Sequence, residues 1–247
     1  MEKNSGLDKL FFELANESRL AVLGELSKEK IKMQEIARRI DVTATEASRQ
    51  LERLSKALLV QRLPEGTFTL TEFGRLLLQL VTSLEFANKY KTYFSTHDLS
   101  KIPVQFQNRM GELAKSELIT DTIKILNAGE SAYIDMDQYG FGMAEGTIPQ
   151  NMLSIMDEKI EKGIKLKFIV PEKRYSENTS AGEIKNIEAR SLPELPAIII
   201  VTEKTAGICF NQIGGKVDYA GFFGTDCAFL KWTEELFLYY WSKAKNE

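Results

Sequence analysis

The segment from Thr45 to Leu58 carries side chains that suit contact with DNA. Its first turn is slim and polar, and three cations follow at helical spacing. A helix of this kind enters the major groove without bulk, and an arginine on it donates two hydrogen bonds to guanine or binds phosphate. The alternative is a solvated helix face, where most arginines and lysines lie. The candidate DNA contacts are Thr43, Thr45, Ser48, Arg49, Arg53, Lys56 and Arg62.

The pattern around this segment supplies the elements that would position it. Apolar residues at intervals of three and four predict a helix over Thr45–Leu58, capped by Thr43 or Thr45, and further helices before it. Two short alternating strands follow, joined by the turn Pro64–Gly66, and a long helix begins at Thr71. This order of elements is that of a winged helix-turn-helix. The residues predicted to face inward from the segment are Ala47, Leu51, Leu54 and Leu58. The other predicted elements are the helices Leu7–Leu14, Ser18–Leu26 and Lys32–Ile40 and the strands Val60–Leu63 and Thr67–Leu70.

Four motifs in this part of the chain, in order and in register, are Ala15–Leu23, Glu35–Ala37, Glu46–Leu51 and Gly66–Gly74. Together they resemble the ArsR-like winged-helix repressors over about residues 7–85. The resemblance implies a DNA-binding winged helix. It does not extend to the metal sites of that family, because the metal-sensing Cys and His clusters are absent from this part and the two cysteines, Cys209 and Cys227, lie outside it.

Helices alternate with apolar strands beyond residue 105, which predicts an α/β domain. The helix Asn151–Lys162 ends at Gly163, a common C-cap residue, and the strand Lys165–Pro171 follows directly. Thr225 and Asp226 predict the cap of a final helix. That helix is striped by Phe229, Trp232, Leu236, Tyr240 and Trp241. The other predicted elements are a helix over Ile119–Ala128 and the strands Ser131–Met136, Ala197–Thr202 and Thr205–Phe210.

Three motifs near the C-terminus, Gly214–Tyr219, Phe223–Asp226 and Lys231–Trp241, resemble the C-terminal domain of an archaeal methanogenesis-regulatory (filament-regulator-type) family. The junction Glu161–Leu166 is similar to the one that these domains share with TrmB-like regulators and phospholipase-D-like folds. The resemblance spans roughly residues 105–244. It implies a transcriptional regulator in which a winged helix is joined to a sensor-like α/β domain.

The single histidine, His97, limits the catalytic chemistry. Phospholipase-D-like catalysis needs two His-x-Lys motifs, and His97 is followed by Asp98 and Leu99. A lone histidine also removes most Ser-His-Asp and Cys-His arrangements. Cys209 and Cys227 are more typical of buried apolar residues than of redox switches. We therefore expect no enzyme, no catalytic residues, no cofactor and no metal.

A weaker pattern indicates an effector pocket in the second domain. Tyr133 and Asp135 would lie at the end of a predicted strand, where open α/β sheets bind ligands. Asp218 and Trp232 are the other candidate effector-binding residues, as an acid and an aromatic. The plainer alternatives are a turn role for Asp218 and a core or interface role for Trp232.

At 247 residues the chain exceeds the usual size of a single core, which predicts two domains. The predicted division is a DNA-binding domain over 1–90, a linker over 91–104 and a regulatory domain over 105–247. The net charge of −3 argues against a broadly basic, histone-like binder but allows a local basic face. No stretch approaches the length of a membrane span, and the first residues lack the apolar core of a signal peptide. We therefore expect a cytoplasmic protein without a membrane partner.

Two hypotheses about function follow. The first is a transcriptional regulator that binds double-stranded DNA, responds to a small-molecule effector and acts as a homodimer. A dimer is expected because a lone winged helix contacts few base pairs. The second is a protein-interaction module with a non-catalytic C-terminal scaffold. The long helix from Thr71 to about Tyr93 favours a dimer, since it carries more apolar residues than one small domain needs. These residues are Leu76, Leu77, Leu80, Val81, Leu84 and Phe86.

Overall fold

The computed structural model describes residues 6–145, 150–172 and 187–246. The chain divides into two compact units, residues 1–82 and 83–247. The first unit is helical with a small sheet, and the second is a mixed α/β unit around a larger sheet. The predicted fold class, a winged helix-turn-helix followed by an α/β domain, is confirmed.

The first unit has the element order of a winged helix. Some of its helices begin with side-chain caps: Asn16 accepts a hydrogen bond from the N–H of Arg19, and Thr43 accepts one from the N–H of Glu46. A three-stranded antiparallel sheet has the order β1-β3-β2. The elements are α1 (Leu7–Leu14), α2 (Glu17–Lys28), β1 (Ile31–Lys32), α3 (Met33–Arg39), α4 (Ala44–Lys56), β2 (Val60–Arg62), β3 (Thr67–Leu70) and α5 (Glu72–Lys89), the last of which begins in this unit.

One apolar core holds the first unit together. It is built from α2, α3, α4 and the sheet, and its fully buried side chains include Val22, Leu23, Leu26, Ile36, Leu51, Leu54, Leu59 and Leu70. The prediction that Leu58 faces inward is wrong. Leu58 adopts a left-handed backbone (φ 61°) just after α4 ends, and its side chain is 69% exposed. Leu59, one position later, occupies the core instead.

The second unit is organised around a sheet of eight strands in the described part of the chain, in the order β11-β7-β6-β5-β8-β9-β10-β4. The three strands β5, β6 and β7 are parallel, and the other pairings are antiparallel. The strands are β4 (Glu117–Ile119), β5 (Tyr139–Met143), β6 (Lys165–Pro171), β7 (Glu188–Leu192), β8 (Ala197–Thr202), β9 (Ala206–Phe210), β10 (Gly221–Gly224) and β11 (Lys245–Asn246). The helices are α6 (Lys91–Phe94), α7 (Val104–Gln107), a 3-10 turn (Met110–Leu113), α8 (Thr122–Asp135), α9 (Gln150–Glu161) and α10 (Cys227–Trp241).

The two faces of this sheet support two cores. Because side chains alternate along a strand, Ile169 of β6 belongs to one core and Leu166 and Phe168 to the other. The larger core contains α10, with Trp232 fully buried and Trp241 nearly so. The smaller core contains residues of α8 and α9. The predicted helix caps are present, since Asp226 caps α10 and Gly163 has a positive φ of 83° after α9.

Two predicted elements and the predicted linker differ from the structure. The segment Ser131–Met136 was predicted as a strand, but residues 131–135 form the last turns of α8, and the strand that follows is β5 (Tyr139–Met143). Ile119, predicted to begin a helix, lies in β4, and the helix begins at Thr122. Within the predicted linker 91–104, Tyr93 and Ile102 are buried in the larger core of the second unit. The aromatic side chain of Tyr93 and the aliphatic side chain of Ile102 thus make this segment part of the packed second unit.

Candidate nucleic-acid interface

The helix α4 is anchored on its inner side and exposed on its outer side. Ala47, Leu51 and Leu54 are each at most 1% exposed and pack into the first unit. The Thr43 side chain accepts a hydrogen bond from the N–H of Glu46 at 3.1 Å, so its hydroxyl oxygen serves as the helix cap. Thr45 and Ser48 are exposed on the first turns, which makes this end of the helix narrow and polar.

Two of the predicted cationic contacts point outward. The Arg49 side chain is 69% exposed and pairs with Glu46, one turn earlier, at 2.9 Å. Lys56 is 75% exposed and pairs with Glu52 at 2.6 Å. Ion pairs this exposed contribute little to stability, so they do not keep either cation from contacting a ligand.

Arg53, by contrast, is bound to a neighbouring helix, although 38% of its side chain remains exposed. Its guanidinium donates two hydrogen bonds to the carboxylate of Glu13 on α1, at 3.0 and 2.7 Å, and lies over the ring of Phe12 at 5.3 Å. These hydrogen bonds lower the pKa of Glu13. The structure therefore gives Arg53 a role in attaching α1 to α4, and a DNA contact by Arg53 would compete with its two hydrogen bonds to Glu13.

The hairpin after α4 presents a further cation. The strands β2 and β3 pair antiparallel, with Arg62 opposite Phe68, and Gly66 turns the chain with a φ of 85°. Arg62 is exposed and makes no ion pair with any residue that the structure describes. An arginine on a wing is well placed to reach a phosphate or the minor groove.

Two buried polar residues on the inner side of α4, Arg19 of α2 and Gln50 of α4 itself, were absent from the predicted site. Arg19 is 4% exposed and donates to the carbonyl oxygens of Phe12 and Glu13, at 2.8 and 2.6 Å. It also forms an ion pair with the Glu13 carboxylate at 3.2 Å, and its third side-chain hydrogen bond goes to the side-chain oxygen of Gln50, at 3.0 Å. The sequence does contain a signal for Arg19, because it shares the three- and four-residue spacing of the buried residues Val22 and Leu23.

The four candidate effector-binding residues do not form one pocket. Trp232 is fully buried, and its ring N–H donates to the carbonyl of Phe106 at 3.1 Å. Tyr133 packs beside Phe168 in the smaller core, where burial raises the pKa of its hydroxyl. Asp135 is exposed at the end of α8. These side chains lie in separate environments, so the structure does not bring the candidate effector-binding residues together in one pocket.

The fourth candidate, Asp218, belongs to a hydrogen-bonded cluster around the single histidine. The Nε2 atom of His97 lies 3.2 Å from a carboxylate oxygen of Asp218, and its Nδ1 atom lies 2.6 Å from the carbonyl of Tyr93. Gln212 donates to the same carboxylate oxygen at 2.9 Å. Asp218 therefore fixes its loop, which agrees with the plainer of the two expectations for it.

The cysteines and carboxylates of the described residues show no built metal site. Cys209 is buried, and its thiol pKa is raised to about 12 by burial, whereas Cys227 is exposed at the start of α10. No group of three or more His, Cys, Asp and Glu side chains converges in the ranges that the structure covers. Over those same ranges, no helix combines the length and apolarity needed to cross a membrane.

Among the comparisons with known proteins, a family model matches the part of the chain that contains the winged helix. Residues 7–89 match the family model described as the HVO_A0261 N-terminal domain. No curated protein matches the chain. Among solved structures, TrmBL2, described as an archaeal chromatin protein with a novel mode of DNA binding, aligns over 95% of both chains at 13% identity with a TM-score of 0.45.

Two other solved structures align with one part of the chain each. NucT from Helicobacter pylori covers 54% of this chain and 99% of its own at 10% identity, with a TM-score of 0.44. The winged helix-turn-helix domain of Mb0332 from Mycobacterium bovis, described as homodimeric and as a possible ArsR-family regulator, covers 37% and 95% at 23% identity, with a TM-score of 0.30. The chain thus carries, over the residues of its winged helix, the sequence pattern of the HVO_A0261 N-terminal domain.

Proposed function

We propose that this protein is a DNA-binding transcriptional regulator and that α4 is its recognition helix. The observation that carries the proposal is the form of α4: its inner side is locked in a core, while its narrow first turns present Thr45, Ser48 and the 69%-exposed Arg49. Arg62 on the neighbouring hairpin supplies a further exposed cation. The family match over the same residues supports this assignment.

The test begins with a selection of bound fragments from genomic DNA, followed by mobility shifts against the selected duplex and a scrambled one. Arg49→Ala is expected to reduce affinity for the selected duplex by on the order of 1–3 kcal/mol, because a bidentate contact to a base is lost. Binding to scrambled DNA changes less. Wild-type protein that binds no duplex would refute the proposal and favour the interaction module.

Lys56 and Arg62 have the role of phosphate contacts in this proposal. Lys56→Ala is expected to weaken binding to all duplexes alike and to flatten the dependence of log affinity on log salt by roughly one unit. The matched control is Lys162→Ala, which removes a lysine of similar exposure from a Glu–Lys pair of the same i,i+4 spacing at the end of α9. An equal change of slope in both variants would contradict a specific role for Lys56.

We propose further that the regulator is a homodimer. The side chains of Leu76, Leu80 and Leu84 are each more than half exposed and follow one another at intervals of four along α5. Two of the other predicted interface residues, Val81 and Phe86, are buried within the protein and are assigned to its cores. An apolar stripe at this spacing fits the equivalent stripe of a second copy.

The second unit, in this proposal, gives the regulator its response to a small molecule and has no catalytic activity. It has two cores of its own, and both ring nitrogens of the lone His97 face hydrogen-bond partners, so that His97 is a poor general base. The C-terminal motifs support an assignment to the archaeal methanogenesis-regulatory type. A metabolite screen on the full chain, read by melting temperature and DNA affinity together, tests the response.

A further inference from the structure

A buried amide lies on the inner side of α4. Gln50 is 2% exposed, and both polar atoms of its side chain are engaged. Its oxygen accepts a hydrogen bond from Nη1 of Arg19 at 3.0 Å, and its nitrogen donates to the carboxylate of Glu46. Because an amide offers one acceptor end and one donor end, this arrangement fixes which way the side chain points.

Arg19 is itself immobilised at the far end of this chain of contacts. Its Nε donates to the carbonyl of Glu13 at 2.6 Å, and its Nη2 donates to the carbonyl of Phe12 at 2.8 Å. These carbonyls belong to the last turn of α1, where a helix leaves its oxygens without intrahelical partners. Arg19 is 4% exposed, so water does not compete for these donors.

Glu46 joins the buried amide to the surface. Its carboxylate accepts from Gln50 on the inner side and from Arg49 on the outer side, where the ion pair measures 2.9 Å. The hydrogen bond from Gln50 and then that from Arg49 lower the pKa of Glu46, so the carboxylate is ionised at neutral pH. A continuous relay therefore runs from Arg19 through Gln50 and Glu46 to the guanidinium of Arg49.

Resting on the proposed function, we propose that Gln50 is a positioning residue for Arg49 and thereby sets how well the protein discriminates its own DNA sequence from others. An exposed arginine samples many rotamers, and freezing them opposes binding. Gln50 holds the Glu46 carboxylate in place, and this carboxylate restricts the Arg49 guanidinium to few conformations before DNA binds. The entropy that Arg49 loses on binding is therefore smaller for the conformation that contacts a base. Because Gln50 is buried, it acts in this proposal through Glu46 and not by contacting DNA.

The variant Gln50→Glu separates positioning from packing. The new carboxylate still accepts from Arg19, but it cannot donate to Glu46 and repels it. The ratio of affinities for the selected and scrambled duplexes is expected to fall roughly tenfold, a part of the discrimination that one bidentate base contact supplies. Far-UV circular dichroism checks that the fold is retained. Gln50→Met, which removes both hydrogen bonds at similar length, should lower the same ratio.

A double-mutant cycle identifies the residue through which Gln50 acts. In the Arg49→Ala background, Gln50→Glu is expected to leave the affinity ratio unchanged, because the group that it positions is gone. An equal loss in both backgrounds would show a general structural role and overturn the inference. Should both Gln50 variants unfold, Glu46→Gln decides, since this half-buried residue holds Arg49 directly and its change should lower the ratio as well.

The failure of this inference is distinct from the failure of the proposed function. Wild-type protein without preference for any duplex removes the proposed function, and the inference falls with it. Wild-type protein that discriminates, together with folded Gln50→Glu and Glu46→Gln variants that discriminate equally well, removes the inference alone.

Discussion

Arg53 attaches α4 to α1, because its guanidinium donates two hydrogen bonds to Glu13. Arg53→Ala is therefore expected to lower the melting temperature of the first unit by about 2–5 °C, as a bidentate pair exceeds an ordinary surface pair. Far-UV circular dichroism measures this change. Lys56→Ala, which breaks an exposed pair on the same helix, is the control and should leave the melting temperature nearly unaltered.

Glu13 gives this contact a dependence on pH. The hydrogen bonds from Arg53 lower the pKa of Glu13, while burial opposes them. A carboxyl whose pKa is lower in the folded than in the unfolded protein adds stability above its ordinary pKa, and this contribution is lost as the pH falls through the lowered pKa. The difference between wild type and Arg53→Ala should be constant near neutral pH and shrink in acid. A difference that widens in acid would contradict the assignment.

The role of Arg53 shows what a local pattern can and cannot predict. Helical spacing correctly places Arg49, Arg53 and Lys56 along the polar side of one helix. It does not reveal that Glu13, 40 residues earlier, takes the guanidinium of one of them. Caps are predictable for the opposite reason: Thr43 bonds an N–H only three residues away, so its partner is contained in the local sequence.

Among the elements, α8 and β5 approach each other closely because β5 contains glycines. A side-chain carbon on Gly142 would lie 2.4 Å from the hydroxyl oxygen of Tyr133 and 2.7 Å from the ring of Phe168. A carbon on Gly140 would lie 2.6 Å from the sulfur of Met136. The glycines therefore leave a flat surface against which the last turn of α8 and the residue after it pack.

Gly142→Ala is expected to destabilise the second unit by about 1–3 kcal/mol, because the added methyl group overpacks this contact. The matched control is Gly129→Ala on α8, where a side-chain carbon would have no atom within 4 Å. That change should stabilise the same unit by about 0.5–1 kcal/mol, since alanine favours a helix over glycine. Chemical denaturation measures both, and two changes of the same sign would contradict the packing argument.

The same contact explains which elements the sequence predicts poorly. The segment Ser131–Met136 is short and apolar, and such a run does not distinguish a strand from a buried turn of helix. The strand β5 was not predicted, because glycine weakens strand patterns and two of its five residues are glycine. By contrast, β6 contains the apolar run Phe168–Val170 and β8 the apolar run Ala197–Val201, and the bounds of both strands in the structure agree with those predicted.

At the scale of the whole molecule, the exposed stripe on α5 leads to a prediction about assembly. Leu80→Glu is expected to convert a dimer to a monomer at micromolar concentration, because two carboxylates would be buried opposite each other. Light scattering measures the mass. Ile123→Glu on α8, which charges another exposed aliphatic residue, is the control and should leave the dimer intact. A wild-type monomer, or dissociation by the control alone, would contradict this interface.

The division of the chain is a property that sequence predicts only approximately. A boundary near residue 90 follows from the end of the winged-helix pattern, whereas the structure divides the chain at residues 82 and 83. The segment 91–104 contains polar residues and a proline, which are typical of a linker. Its few apolar side chains nevertheless enter a core formed by strands more than a hundred residues later, for example where Tyr93 donates to the carbonyl of Ala220.

The placement of the aromatic residues has a consequence for spectroscopy. Both tryptophans lie on α10, and every tyrosine of the chain follows residue 82, so the winged helix contains neither chromophore. Intrinsic tryptophan emission therefore reports the surroundings of Trp232 and Trp241 and does not record the melting of the first unit. Emission and circular dichroism together would follow the two units separately in one sample, without any label on the protein.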